Sequence, residues 1–343
     1  MKRSTALHPQ PRPWSLSSNH VFFLCVLLLV GLTLVSLCIG SFPLDLFALG
    51  KDDMQRRVFF NLRLPRVLAA VITGGVLGVT GAVCQTVFCN PLASPDITGV
   101  ASGASFGAAF AILTTSSMVL RMGFAFVGGV AALALLLFFV RLSGKAGAEE
   151  KGRYLLSGIL VSAAAEAGLM LLKTAADPER ELAAIEFWTM GSFAAMTAQR
   201  FLWMTLASLP PVVLLVLFAK QSQLLSFGRE EATVFGLSVR FWQPFLLLLC
   251  ALSVAGVVSI VGVIGFVGLI VPHIALSLLK TRSKWYLPLC FVIGAGLTVL
   301  SDLFARTVVP GAELPVGIFT VGLAVVWFFC LFCRGKVFGG DNL

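Results

Sequence analysis

Formal charge vanishes from this chain for long intervals. No residue from Val67 to Pro95 is charged, none from Ile97 to Leu120, and none from Phe241 to Leu279. A water-soluble helix of such length would present a charged face, and these present none. At about 1.5 Å per residue, a run of some 20 residues crosses a bilayer. The pattern predicts ten crossings: Val21 to Gly40, Val67 to Cys89, Ile97 to Leu120, Met122 to Val140, Tyr154 to Leu172, Phe201 to Ala219, two within Phe241 to Leu279, Trp285 to Leu300, and Leu314 to Cys333. In the long run from Phe241, the glycines at 256, 262, 265 and 268 and the Pro272–His273 pair suggest two crossings with a tight turn between them, one of them short or broken. A polar segment from Lys173 to Arg200 has room for a short surface helix around Ala183 to Met190. The expected fold is an all-α polytopic membrane protein. Residues 1–20 and 334–343 form polar tails around a ten-helix body, 21–333, and a loop at 220–243 interrupts that body.

Glycines add a second pattern. Gly99, Gly103 and Gly107 recur at every fourth residue, which makes one smooth stripe where another backbone can approach closely. The segments Gly81 to Pro91 and Gly262 to Pro272 place Gly and Pro at the same separation, a weak internal repeat. Two interrupted helices in corresponding halves point to a translocation path.

Composition agrees with the membrane reading. Apolar residues make up 58% of the 343 and charged ones only 12%, against about 25% in soluble chains. A net charge of +9 could suggest nucleic acid, but the basic residues are scattered singly between apolar spans, which excludes it. The eight cysteines lie in or beside apolar runs and read as small core residues. Cys330-x-x-Cys333 has redox spacing but no supporting strand pattern. Met1 to His20 is a polar tail ahead of a full-length span, not a cleavable signal. With both ends inside, the cytosolic segments hold the majority of the 25 basic residues, a modest excess of the right sign.

Nothing resembles a catalytic centre, a phosphate-binding loop or a metal site. Glu166 and Asp302 are the acids near membrane depth. Glu166 could serve an ion-coupled carrier acting alone, or simply bond to a neighbouring helix, and Asp302 should lie near Arg306. His273 is read as bonded to backbone freed by a proline. In the polar stretch Ser222 to Gln243, Glu230, Glu231, Ala232 and Phe235 should form a short helix ended by Gly236, with a second turn around Val239 to Trp242. Its apolar residues Leu224, Leu225, Val234 and Phe235 suit docking to a soluble partner; the plain alternative is an amphipathic loop on the membrane surface.

Three blocks carry a resemblance. Arg63-Leu-Pro-Arg66 leads into a Gly-rich helix and Asn90-Pro-Leu-Ala-x-Pro-Asp-x-x-Gly99. GVIGFVGLIVPHI follows from Gly262, and SDLFARTVVPGAELPVGI from Ser301. In order and spacing these resemble the permease family of ABC importers for iron chelates, haem and cobalamin. Leu276 stands where that family usually has Arg, and GLAVVWFFC, from Gly322, replaces a common Gly-Ala-Pro. The resemblance implies the type II importer permease fold in a bacterial cytoplasmic membrane, both termini cytosolic, working as a homodimer or with a paired permease. It implies a separate ATPase subunit, which alone uses ATP and Mg, and no cofactor or metal on this chain. Arg229, Glu230, Glu231, Ala232, Phe235, Gly236 and Leu237 would couple to that ATPase. Arg63, Arg66 and Arg306 would meet a periplasmic or lipid-anchored binding protein; their other reading is anchorage in head groups. The path would be lined from Gly78, Gly81, Gln85, Asn90, Pro91, Thr98, Gly99, Gly103, Gly107, Gly265, Gly268 and Pro272. An iron–siderophore complex is the expected cargo, with haem and cobalamin as alternatives.

Overall fold

A computed structural model describes residues 17–40, 53–142, 150–309 and 311–333, and among them every regular element is helical. The tails at 1–16 and 334–343, with the orientation of both termini, lie outside the described residues, as do 41–52 and 143–149. In chain order come α1 (Ser18–Cys38), a short α2 (Asp53–Val58), a π-helical turn (Phe59–Arg63), and α3 (Leu64–Val87). A 3-10 turn (Pro95–Thr98) then leads to α4 (Val100–Thr114), α5 (Met118–Leu142) and α6 (Glu150–Ala175). After these come α7 (Glu181–Thr189), α8 (Ala198–Leu217), α9 (Ala219–Leu225) and α10 (Arg229–Val234). The last four are α11 (Val239–Val261), α12 (Val267–Leu279), α13 (Tyr286–Thr307) and α14 (Val316–Cys333).

Among the described residues, seven helices are long and apolar enough to cross a membrane, and α4, α12 and α14 are shorter apolar helices beside them. Ten apolar helices thus stand where ten spans were expected, seven of them at full crossing length, and α7 is the expected surface helix. The expected second turn at Val239 is the first turn of α11 itself.

α3 lies at the centre and α1 at the edge. Nearly every residue of α3 from Pro65 to Val87 is buried, whereas Ser36 is the buried residue of α1. Without a hydrophobic drive between helices in lipid, packing at small residues must hold such a bundle. A methyl group on Gly74 would collide with the Gly294 carbonyl oxygen, and one on Gly294 with that of Gly74. Gly78 stands in the same relation to the Cys290 carbonyl, and Gly81 to that of Gly268. α3 thus touches α13 and α12 backbone to backbone. On α4, Gly103 meets Gly128 and Gly107 meets the Phe124 carbonyl of α5 in the same way.

Two series of four helices share one outline. The lengths of α3 to α6 are 24, 15, 25 and 26 residues, and those of α11 to α14 are 23, 13, 22 and 18. In each series the second helix is short, about 20–22 Å, and a break in the α-helical run precedes it. The repeat read from the sequence is out of register, however. Gly81 is inside α3, whereas Gly262, at φ +79°, closes α11. Pro91 lies in a turn, whereas Pro272 lies inside α12. The segments that correspond are the breaks, Phe88 to Gly99 and Gly262 to Phe266. Each contains a non-glycine residue in the left-handed region, Cys89 at φ 45° and Phe266 at φ 67°, a conformation that persists only where its surroundings enforce it.

Gly294→Val should cost about 1–3 kcal/mol or more, read as a lower melting temperature and less monodisperse protein in detergent. Gly296→Ala, two residues away with no neighbour near the added methyl, should change neither. Equal behaviour of the two variants would remove close α3–α13 contact as the organising feature.

Candidate translocation path and coupling surfaces

At the face where α1 ends, five charged side chains converge. Arg63 Nη1 donates to the Leu37 and Cys38 carbonyls, at 3.1 and 3.2 Å. Arg306 Nη2 donates to the Ser36 carbonyl at 2.7 Å and to the Ser36 hydroxyl. These are the carbonyls that a helix C-terminus leaves without intrahelical partners. Arg66 Nε and Nη2 both donate to Asp302 Oδ1 at 3.0 Å, and Arg66 Nη1 to Glu313 Oε1 at 2.8 Å. Arg306 Nε is 3.5 Å from Asp302 Oδ2, so the expected Asp302–Arg306 proximity holds. The arginines are nonetheless drawn into the protein and not held open at its surface. Arg63 and Arg306 are each only 7% exposed. A forked guanidinium can satisfy several buried oxygens at once, and the end of α1 and the buried Asp302 supply them.

At the opposite face, α3 ends against α9. Thr86 Oγ1 and Ser222 Oγ share a buried hydrogen bond of 2.7 Å, and Cys89 Sγ donates to the Leu225 carbonyl at 3.2 Å. His273 Nε2, on α12, donates to the Pro91 carbonyl at 2.9 Å. The backbone partner expected for His273 is present, but it belongs to the break after α3 and not to its own helix. Ser222, Thr86 and Cys89 were not singled out from the sequence, because nothing local marks a hydroxyl or thiol that bonds 136 residues away.

α10 follows directly. Gly236 has φ +81° and ends it, with Gly236 N–H donating to the Thr233 carbonyl and Leu237 N–H to that of Ala232. Val234 is 86% exposed, and Phe235 and Phe227 are also exposed, their rings 6.1 Å apart. Arg229, Glu230 and Glu231 surround them at the surface. Ala232, Leu237 and Leu225 are instead buried, so they seat the loop on the bundle and do not face outward. The result is an apolar knob with a charged rim on a fixed base.

The residues expected along a path divide into groups. Gly78, Gly81, Gly103, Gly107 and Gly268 serve helix contacts within the chain. Gln85 Nε2 donates to the Leu269 carbonyl at 3.2 Å and so joins α3 to α12. Thr98 Oγ1 donates to the Pro95 carbonyl, and Gly99 turns the chain at φ +78°. Pro272 is buried within α12. Gly265 has open space beside it. Asn90 Oδ1 accepts the Leu92 N–H and lines an open cavity of about 270 Å³ with Phe88, Cys89, Ala93, Gly152 and Leu155. Glu166 projects from the exposed side of α6 and accepts a hydrogen bond from Ser102 Oγ of α4 at 3.2 Å. That is the expected bond to a neighbouring helix. Among the described residues no cluster of His, Cys, Asp or Glu could hold a metal ion.

With this geometry in view, the comparisons with known proteins are decisive. The profile of the FecCD transport family matches residues 27–334. The chain belongs to the FecCD transport family. It is 35% identical over 320 residues to the hemin transport system permease protein HmuU of Yersinia pestis, covering 91% of this chain and 94% of that one. It is 32% identical over 336 residues to the vitamin B12 import system permease protein BtuC of Klebsiella pneumoniae, covering 97% and 98%. A metal-chelate type ABC transporter solved in an inward-facing conformation superposes with a TM-score of 0.85 at 32% identity, over 92% of this chain and 99% of that one. The fold is thus that of the type II ABC importer permeases, and this FecCD chain is a multi-pass membrane permease subunit. The rival reading, an ion-coupled carrier working alone through Glu166, falls with that finding.

Arg306→Ala should lower stability by about 1.5–3 kcal/mol, the range for a hydrogen bond to a charged group. Amide hydrogen exchange should rise in the last turn of α1. Unchanged exchange there would return Arg306 to the role of a surface residue.

Proposed function

We propose that this chain imports a metal chelate across a bacterial cytoplasmic membrane, as a homodimer or with a closely similar permease. A substrate-binding protein delivers the cargo and a separate ATPase drives the cycle. The observation that carries the reading is the exposed apolar knob of Phe227, Val234 and Phe235 on a loop whose base is bonded to α3. An exposed patch of this kind on a firm support suits a groove on a soluble partner. Force applied at α10 passes through Ser222 and Leu225 to the end of α3, and from Pro91 to His273 and α12. The two helix breaks then shift together.

The path itself runs between two copies, not through one. The glycines of α3 and α4 are spent on contacts inside the chain, while Glu166 leaves α6 on an uncovered side. A carboxylate turned toward lipid is costly, so that side should face water or a second subunit. The docking face for the binding protein is the one bearing Arg63, Arg66 and Arg306. Iron–siderophore is our reading of the cargo, with haem and cobalamin as alternatives; the named relatives support a chelate of this class.

In proteoliposomes, uptake should require the ATPase, ATP and the binding protein, and radiolabelled iron–siderophore should accumulate. Uptake of haem or cobalamin alone would replace the cargo, and uptake by the lone chain under a proton gradient would sink the mechanism. A second test addresses the loop. Gly236 has no atom near its missing side chain, so Gly236→Val acts through backbone strain of roughly 1–2 kcal/mol. It should insert normally, lose ATPase co-purification and lose uptake, whereas Gly236→Asn should keep both. Full activity of the valine variant would make the loop a linker.

A further inference from the structure

The two acids on the arginine face do different work. Asp302 is wholly buried and holds Arg66 Nε and Nη2 on one oxygen, which fixes the plane of the guanidinium. Glu313 takes only Nη1, and its side chain is 37% exposed against 12% for Arg66. Glu313 therefore lies over the outward edge of a guanidinium that Asp302 already positions. The backbone beyond it is tied down separately: Leu314 N–H donates to the Ala305 carbonyl at 3.0 Å, and Val316 N–H to the Gly191 carbonyl at 3.0 Å. Removing the Glu313 carboxylate thus leaves both Arg66 and the loop in place.

We propose that Glu313 is an internal competitor for Arg66: it occupies the guanidinium edge that an acidic side chain of the docking protein must take. The inference rests on the reading of this face as the docking surface. The guanidiniums gathered on this face, Arg66 and Arg306 with Arg63 beside them, attract a further carboxylate. Glu313 already holds Nη1, at 2.8 Å. An incoming acid must displace Glu313, and until it does the Glu313 charge repels it. Docking is then a swap of one carboxylate for another on the same nitrogen. A swap releases quickly, which suits a binding protein that must leave after each delivery; a guanidinium open beforehand would hold its partner longer, because such contacts act mostly on dissociation.

The test uses the permease–ATPase complex in nanodiscs and, as probe, its substrate-binding protein. Glu313→Gln should tighten docking roughly two- to fivefold at low salt, the scale of a half-exposed ion pair. The difference should shrink above about 0.15 M salt, as screening requires. Phenylglyoxal labelling of Arg66, read by mass spectrometry, should be slow in the wild type and faster in the variant. Glu313→Ala repeats both measurements should the amide variant fail to assemble. If the wild type docks and the variants dock no more tightly, the competition is overturned while the docking surface stands. If neither wild type nor variant docks, the docking reading falls and the competition with it.

Discussion

The closeness with which α12 and α13 approach α3 sets the rest of this structure. Gly74 and Gly294 each leave no room for a methyl group on the other, and Gly81 stands in the same relation to the Gly268 carbonyl. In lipid such contacts replace the hydrophobic drive that assembles soluble bundles. They also fix the height at which α12 begins. Gly268 lies beside Gly81 and Gln85 bonds to Leu269, so α12 starts within the length of α3 and not level with its end. The chain from Gly262 to Phe266 must therefore run non-helically at depth, which is tolerated where protein encloses it. The left-handed Phe266 is the local cost of that placement.

The same arrangement gives motion a defined route. α9 is bonded to the end of α3 through Thr86–Ser222 and Cys89–Leu225, and the break after α3 is bonded to α12 through Pro91–His273. Each link joins a break or a helix end, where backbone can change without opening a helix. The glycine contacts between α3 and α13, by contrast, leave no slack. On the proposed coupling, displacement at α10 goes to the two breaks first, while α3 and α13 move as one body.

Most of the architecture was legible because charge-free length is a strong signal in a membrane. Gly236 was legible too, since a helix followed by glycine calls for a left-handed cap. The second break was legible among the glycines from 256 to 268, but Pro272 was wrongly counted with it. Pro272 looked like its cause, yet proline is tolerated inside membrane helices when neighbours satisfy the freed carbonyl, and the chain turns instead at Gly262. The partners of the arginines were not legible because they are remote: Asp302 is 236 residues from Arg66, and Ser36 is 270 from Arg306. Sequence spacing cannot show whether an arginine at a helix end meets water, lipid or a carbonyl. Ala232 and Leu237 raise the same problem in a short helix, where only the packing decides which side faces out.

That burial explains how α1 stays attached at all. Ser36 is its buried residue, and its outer side is apolar surface open to lipid. It is secured chiefly at its two ends. Near its start, Phe22 stacks on Trp285 with ring centroids 4.4 Å apart, and Asn19 Oδ1 accepts the Trp285 indole N–H at 2.6 Å. At its finish, Arg63 and Arg306 hold the Leu37, Cys38 and Ser36 carbonyls. Lysine would be a poor replacement for Arg306, because a single ammonium does not reach both the Ser36 carbonyl and Asp302, which face different nitrogens of the guanidinium. Trp285 and Arg306 flank the two ends of α13, so α1 is clasped to that helix at both ends while its middle makes few demands. A helix held in this way follows α13 as a strut and does not resist the sliding of its own lipid-facing side.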